Sequence, residues 1–99
     1  MGKKIVIIGG GVAGLSAGIY GKLNGFDTEI IEMHSITGGQ CTAWKRKGYR
    51  FDYCLHWLVG TRNGAFHDIW KETNVLNDHV KVIDNEIHTK IYDTEGREF

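Results

Sequence analysis

The sequence of 99 residues contains no proline, and this absence excludes two kinds of structure. An average chain of this length contains about five prolines, so proline-rich linkers and collagen-like helices are ruled out. Charge of one sign is not in excess either, because 12 lysines and arginines balance 12 aspartates and glutamates. A neutral chain lacks the broad basic surface that binds nucleic acid. We therefore predict no nucleic-acid partner and interpret the basic run 45–47 as an exposed hairpin edge.

Cysteine is scarce, and long apolar runs are missing. Cys41 and Cys54 fit neither a CxxC redox pair nor paired zinc half-sites, so we expect two free thiols in a reducing cytosol. The five histidines lack the spacing of a metal site, and no metal is predicted. No apolar run approaches the ~18 residues of a membrane span, and the apolar run after Lys4 is too short for a signal peptide. We expect a cytoplasmic protein whose contact with membranes is at most peripheral.

Glycine, in contrast, is abundant: the chain has 14 glycines, whereas average usage predicts about seven in a chain of this length. Three of them, Gly9–Gly11, follow a short β-branched segment, residues 3 to 8, which predicts a strand buried on both faces in a parallel sheet. Apolar residues at helical spacing predict a helix over residues 12 to 23. Residues 27 to 32 predict a second strand that ends in an acid. This order predicts a βαβ unit and an α/β fold.

Glycines inside the predicted helix are costly, since each one lowers helix stability by roughly 0.8–1 kcal/mol relative to alanine. Gly14, Gly18 and Gly21 fall on one side of that helix. The missing side chains allow this side to approach a neighbouring backbone or a ligand closely. We therefore expect the glycines to pack the helix tightly against the sheet.

The remainder of the chain alternates extended and helical patterns. Residues 44 to 52 predict a hairpin, and residues 65 to 73 predict a helix with Asn63 as its cap. Alternating apolar and polar residues predict strands at 80 to 83 and 86 to 92. The aromatic side chains, including all three tryptophans, are expected in the core.

The spacing Gly9-x-Gly11-x-x-Gly14, between a predicted strand and a predicted helix, is the fingerprint of a dinucleotide-binding turn. Gly9 permits the tight turn, Gly11 allows a pyrophosphate to approach the backbone, and Gly14 allows the helix to pack on the strand. The N–H groups of Val12, Ala13 and Gly14 begin the helix, where they favour an anion. We expect these five residues to bind a pyrophosphate.

Glu32, at the end of the second predicted strand, completes the fingerprint. Its carboxylate is placed to accept hydrogen bonds from an adenosine ribose. A negative charge at this position repels a 2′-phosphate, so NADP is not expected. The sequence therefore predicts binding of a dinucleotide such as FAD or NAD.

The residues after Glu32 narrow this prediction. The pattern Gly38-Gly39-Gln40-x-Thr42, followed by Gly48-Tyr49-Arg50-Phe51-Asp52 and His56-Trp57, resembles FAD-dependent oxidoreductases of the phytoene desaturase, carotenoid isomerase and retinol saturase group, related to the amine oxidases. The resemblance implies the N-terminal βαβ unit of a Rossmann-type FAD-binding domain, followed by a hairpin, a helix and β-strands. It also implies a fragment of a larger two-domain flavoprotein, with residues 1–60 forming the FAD-binding unit and residues 61–99 starting an incomplete substrate or cap domain.

The resemblance further implies FAD as cofactor and a hydrophobic, polyene-like or lipid-like substrate. In this group the glycine pair approaches the FAD pyrophosphate region, which here implicates Gly39 and the following Gln40. Gln40 replaces the usual arginine, and a neutral contact is worth about half a charge-assisted one, so cofactor affinity should be lower. Tyr53 and Cys54 stand where the group commonly has a glycine. No catalytic residue is predicted, and His56 is expected to pack rather than to catalyse.

Several alternatives remain open. The segment Gly38–Cys41 is similar to the GG-x-C start of the disulfide reductases, but Arg46 occupies the position of their second cysteine, so Cys41 is expected to be a small packed residue. The chain could instead be a stand-alone or NAD-binding Rossmann module without catalysis, or part of an amine oxidase-like flavoenzyme. Exposed strand edges would favour self-association.

Overall fold

A computed structural model describes residues 2–99. In chain order the elements are β1 (Lys4–Ile8), α1 (Val12–Leu23), β2 (Asp27–Ile31), β3 (Ala43–Arg46), β4 (Tyr49–Asp52) and α2 (Ala65–Glu72). Strands β1 and β2 pair in parallel, from Lys4 opposite Asp27 to Ile8 opposite Ile31. Helix α1 connects them, so the predicted βαβ unit and the mixed α/β class are confirmed.

Helix α1 packs on the sheet through its glycines. A Cβ atom on Gly18 would lie 2.8 Å from Ile30 Cδ1, and one on Gly21 would lie 2.7 Å from Thr28 Cγ2. Both distances are shorter than ordinary van der Waals contact, so the sheet side chains occupy the space that helix side chains would need. This packing offsets the poor helix propensity, as the sequence predicted.

The opposite face of this sheet is open. Val6, Ile8 and Ile31 are 51%, 80% and 50% exposed. The prediction that the first strand is buried on both faces is therefore wrong for this chain. A parallel strand is buried on both faces only when helices cover both faces of its sheet, and here α1 covers one face.

Beyond the βαβ unit lie the hairpin and the second helix. β3 and β4 pair antiparallel, with Arg46 opposite Tyr49, around a turn in which Lys47 and Gly48 have φ angles of 50° and 84°. This confirms the predicted hairpin, and α2 confirms the predicted helix. Asn63 is not its cap: Gly64 holds that position with φ 90°, and no side chain of the described residues caps the helix.

The last twenty residues differ from the prediction. No strand forms over residues 80 to 83 or 86 to 92 within the described chain, and the prediction of strands there is wrong. One isolated antiparallel bridge joins Tyr92 to Glu98, around a turn in which the Asp93 carboxylate accepts hydrogen bonds from backbone N–H groups. A segment with alternating apolar and polar residues forms a strand only when a partner strand supplies the ladder of hydrogen bonds, and most of this segment has no such partner.

The molecule is extended rather than compact. Its radius of gyration is 18.1 Å, whereas a compact domain of this size has about 13 Å. Among the described residues, Leu76 is the one large hydrophobic side chain that is buried, at 7% exposure. Trp44 and Trp57 are 46% and 60% exposed, so the prediction that the tryptophans lie in a core is wrong for these two. Apolar groups without a covering layer remain in contact with water.

Candidate dinucleotide-binding site

The turn between β1 and α1 depends on Gly9. Its φ angle of 105° lies in a region that residues with a side chain rarely adopt. The Gly9 N–H donates a hydrogen bond to the Ile31 carbonyl at 2.8 Å, which ties the turn to the end of β2. The tight turn predicted from the glycine spacing is therefore present, at the carboxyl ends of both parallel strands.

Gly14 allows α1 to approach this turn. A Cβ atom on Gly14 would overlap the carbonyl oxygen of Gly9 and would lie 3.3 Å from Ile7 Cγ2. Because the overlapping atom belongs to the backbone, no rotamer change could relieve the clash. The structure thus agrees with the predicted packing role of Gly14.

The N-terminus of α1 is open to a ligand. Gly11 is the N-cap residue, and within residues 2–99 no side chain caps this end and no acidic residue lies in its first turn. The N–H groups of Val12, Ala13 and Gly14 precede the first intrahelical donor, the Leu15 N–H, which bonds to the Gly11 carbonyl at 2.9 Å. Such a terminus carries a partial positive charge that attracts phosphate.

A second glycine segment lies beside the first, and we call Gly38–Gly39 the double-glycine loop. The Gly38 N–H donates to the Gly10 carbonyl at 2.8 Å, and Gly38 forms a parallel bridge with Gly11. The φ angles of Gly38 and Gly39 are 117° and 58°. The two segments therefore form one continuous surface of backbone with almost no side chains.

Gly11 has a different role from its neighbours. A Cβ atom on Gly11 would lie 3.9 Å from its nearest neighbour, Gly39 Cα, which is ordinary contact, and its φ angle of −75° suits any residue. The protein's own packing therefore does not require glycine here. A pyrophosphate lying on the backbone would require it, and this fits the group that the fingerprint implies.

Glu32 is held in place by backbone donors. The His34 N–H donates to its Oε1 at 2.9 Å, and the Gly10 N–H donates to its Oε2 at 2.6 Å. The hydrogen bond from His34, and then that from Gly10, lower the pKa of the Glu32 carboxyl below its usual value. An ionised carboxylate has about four acceptor sites, so about two remain for ribose hydroxyls.

Gly10 has a role that the sequence did not predict. Gly10 is buried, and a Cβ atom on it would lie 3.1 Å from Thr37 Cγ2 and 3.2 Å from Glu32 Cβ. The signal was a glycine at the variable position between Gly9 and Gly11, where the fingerprint does not require one. It marks the position that carries both Glu32 and the double-glycine loop.

Gln40 and Cys41 follow this loop and are both exposed. The Gln40 carbonyl accepts a hydrogen bond from the Cys54 thiol at 3.0 Å, so the two residues after β4 stay close to the loop. Cys41 was expected to be a packed residue, and that prediction is wrong. The structure brings Gly9, Gly11, Gly14, Glu32 and Gly39 together, with Val12 and Ala13 at the helix end, and it places Gln40 at the margin.

An open apolar cleft of about 810 Å³ adjoins the first turn of α1. It lies between α1, α2 and the segment that follows β4, and its lining includes Val12, Leu15, Cys41, Cys54, Phe66 and Ile69. His56 also borders it and is exposed rather than packed. An apolar cleft beside an uncapped helix N-terminus suits a ligand with one charged and one apolar end.

Comparisons with known proteins agree with this geometry. The family model described as NAD(P)-binding Rossmann-like domain matches residues 7–73. The chain is 31% identical over 96 residues to a phytoene desaturase of Cercospora nicotianae, which covers 95% of this chain and 15% of that protein. It is 33% identical over 79 residues to a 1-hydroxycarotenoid 3,4-desaturase of Flavobacterium, covering 75% of this chain and 16% of that protein.

A zebrafish (Danio rerio) all-trans-retinol 13,14-reductase is 30% identical over 53 residues, covering 54% of this chain and 9% of that protein. The chain thus spans about a sixth of the length of the curated desaturases it matches. Within residues 2–99, no helix has both the length and the apolar character needed to cross a membrane. The chain belongs to the NAD(P)-binding Rossmann-like domain family and is similar over most of its length to phytoene and carotenoid desaturases.

Proposed function

We propose that this chain binds FAD and forms the dinucleotide-binding part of an oxidoreductase that acts on a hydrophobic, polyene-like substrate. The observation that carries the proposal is the junction of the two glycine segments at the open N-terminus of α1. The similarity to enzymes named as phytoene and carotenoid desaturases supports an apolar substrate, and FAD is the cofactor that the resemblance of the sequence motifs implies. The division into a unit of residues 1–60 and a following excursion of residues 61–99 belongs to the same proposal.

In this proposal each part of the site has one task. The N–H groups of Val12, Ala13 and Gly14 bind the pyrophosphate, and Gly11 and Gly39 leave room for it. Glu32 accepts hydrogen bonds from the adenosine ribose. FAD supplies the hydride chemistry when bound, and the protein positions it beside the apolar cleft.

The test is to titrate FAD and NADH separately into the purified chain and into Gly11→Ala. We expect FAD to bind to the wild-type chain and the substitution to weaken binding at least about tenfold, since a methyl group would occupy the space of the pyrophosphate. Far-UV circular dichroism should stay unchanged because a Cβ atom at Gly11 meets only ordinary contacts, and the unfolding midpoint should fall slightly because alanine is a poorer N-cap than glycine.

Lys45→Ala serves as the control, because it removes one positive charge from the exposed hairpin and leaves both glycine segments intact. Unchanged FAD binding in Gly11→Ala would contradict the pyrophosphate assignment. Binding of NADH without FAD would favour the second candidate, an NAD-binding module, which the description of the matching family model supports.

A further inference from the structure

The two cysteines flank the open end of the β3–β4 hairpin: Cys41 lies two residues before β3 and Cys54 two residues after β4. Ala43 pairs with Asp52, and the Tyr53 N–H donates to the Thr42 carbonyl at 3.0 Å, which extends the register one step further. Continued by one more step, the same register would place Cys41 opposite Cys54, and both residues lie in bends just outside the paired strands. Because Thr42 and Tyr53 share a hydrogen bond, a facing pair at that step would be of the non-hydrogen-bonded kind, in which Cα atoms are about 4.5 Å apart.

Side-chain contacts agree with this register. The Cys54 thiol donates to the Gln40 carbonyl, next to Cys41, at 3.0 Å. Both cysteines border the same apolar cleft, and both are exposed. The pKa of the Cys54 thiol is raised, first by desolvation and then by the charge and hydrogen bonding of Cys41. A facing pair with Cα atoms between about 4.4 and 6.8 Å apart meets the geometric requirement for a disulfide.

We propose that Cys41 and Cys54 are a redox-sensitive pair that forms a cross-strand disulfide when it meets a low-molecular-weight disulfide such as oxidised glutathione. One cysteine attacks a sulfur of oxidised glutathione, so that a mixed disulfide forms and one glutathione leaves as a thiol. The other cysteine then attacks the protein sulfur, and the second glutathione leaves. Both protein S–H bonds are lost, one S–S bond forms between the cysteines, and the protons leave with two reduced glutathione molecules.

The bond would connect the end of β4 to the residue two positions after Gly39. It would therefore restrain the double-glycine loop, whose Gly38 bonds to Gly10. The redox state of the pair thus sets the rigidity of one side of the candidate site. The significance of this for FAD rests on the proposed function, whereas formation of the bond does not.

The experiment equilibrates the full chain with mixtures of oxidised and reduced glutathione, with and without denaturant, and identifies the products by intact mass and peptide mapping. We expect an intramolecular Cys41–Cys54 disulfide whose equilibrium constant in the folded chain exceeds that in denaturant by at least about tenfold, because the fold brings the thiols together. Amide hydrogen exchange of the peptide that contains Gly38–Thr42 should slow in the oxidised chain.

The matched control exchanges two neighbours, combining Tyr53→Cys with Cys54→Tyr. The variant keeps the composition and moves the second thiol from position 54, whose Sγ contacts the Gln40 carbonyl, to the neighbouring position 53. It should form mixed disulfides with glutathione instead of the crosslink, as should Cys54→Ser.

Equal equilibrium constants with and without denaturant, or equal crosslinking in the exchanged variant, would overturn the proposal. Unchanged hydrogen exchange after crosslinking would overturn the link to the double-glycine loop. No outcome depends on FAD binding.

Discussion

Single glycines in the first turn serve two separable physical purposes. Gly14 is required by the protein itself, because any Cβ atom there overlaps the Gly9 carbonyl. Gly11 meets no such obstacle. A spacing pattern alone treats the two as equivalent, since both are simply glycines at fixed positions. Only the three-dimensional packing distinguishes a glycine needed for folding from one that a ligand would need.

Substitution of Gly14 tests the folding purpose. We expect Gly14→Ala to destabilise the chain by about 1–3 kcal/mol, the usual cost of overpacking, because backbone atoms must shift. Gly21→Ala is the comparison: its Cβ atom would lie 2.7 Å from the Thr28 methyl group and 3.6 Å from Ile5 Cδ1. Side-chain atoms can move more readily than backbone, and alanine gains about 0.8–1 kcal/mol of helix propensity, so we expect a smaller loss than for Gly14→Ala. The measurement is denaturant unfolding followed by circular dichroism. Equal losses in the two variants would show that the clash with Gly9 is unimportant.

Glu32 predicts a pH dependence of stability. Its pKa is lower in the folded chain because the His34 and Gly10 N–H groups donate to the carboxylate. The stabilisation is therefore fully present above the unfolded pKa of about 4.3 and is lost as pH falls through the lower folded pKa. We expect acidification over this range to destabilise the wild-type chain more than Glu32→Gln. Unfolding curves at neutral and acid pH measure this difference.

Glu86→Gln provides the comparison for this prediction, because it makes the same chemical change at an exposed position outside the candidate site. It should follow the wild-type pH dependence. If Glu32→Gln also followed it, the two backbone hydrogen bonds would not contribute to stability.

At the scale of elements, α1 and α2 are joined by one side-chain hydrogen bond. The Tyr20 hydroxyl donates to Glu72 Oε2 at 2.6 Å, and this bond is the main cause of the raised pKa of Tyr20. A raised pKa means that the folded chain favours the protonated phenol. The contribution is therefore present below the unfolded pKa of about 10 and is lost as pH rises through the folded value.

Replacement of Glu72 isolates this bond. We expect Glu72→Gln to lower the pKa of Tyr20 towards its usual value, which a spectrophotometric titration of phenolate absorbance detects as earlier ionisation. Tyr20→Phe should remove from the phenolate titration the Tyr20 hydroxyl group, which in the wild-type chain ionises at a raised pH. Tyr49→Phe, on the exposed β4, is the control and should leave it in place. A Tyr20 titration that is identical with and without Glu72 would contradict the helix contact.

Elements with local causes were predictable from the sequence, and those that depend on distant partners were not. The limits of α1 follow from the glycines before it and Asn24 after it, and the predicted range of 12 to 23 is the observed one. The residues around Val82 alternate as a strand should, but a strand exists only beside another strand, and the chain supplies none there. Likewise, composition gave no sign that Trp44 and Trp57 would stay exposed, because burial depends on which element covers them.

In the candidate site, too, the features with local causes were predictable and those that depend on distant residues were not. The fingerprint located Gly9, Gly11, Gly14 and Glu32 from spacing alone. The bridge between Gly11 and Gly38 could not be predicted, because it depends on how the chain returns after β2. The binding roles themselves stay predictions, which the Gly11→Ala titration addresses.

At the scale of the whole molecule, exposed apolar surface dominates. Val6 and Ile8 face away from α1 on an uncovered sheet, and the principal extents of 67 × 33 × 21 Å describe an elongated body. Uncovered apolar faces and unpaired strand edges favour association with other chains. We therefore expect the chain to self-associate, which agrees with the prediction from its strand edges.

Sedimentation velocity at increasing protein concentration tests this expectation. Ile8→Lys places a charge on the exposed face, where Ile8 is 80% exposed, and should reduce association while circular dichroism stays unchanged. Ile7→Lys is the matched opposite, since Ile7 is half-buried beneath α1, and it should unfold the βαβ unit. Association that is insensitive to Ile8→Lys would show that another surface is responsible.

The bridge between Gly11 and Gly38 also bears on the order of events during synthesis. Every group assigned to the candidate site, apart from the Gln40 side chain, lies in the contiguous stretch from Gly9 to Gly39. The loop between Gly11 and Gly38 closes without any residue after Gly39, and the entropy cost of closing a loop rises only slowly with its length. The site can therefore assemble as soon as this stretch has left the ribosome, so that a cofactor could be captured by a nascent chain and take part in its folding.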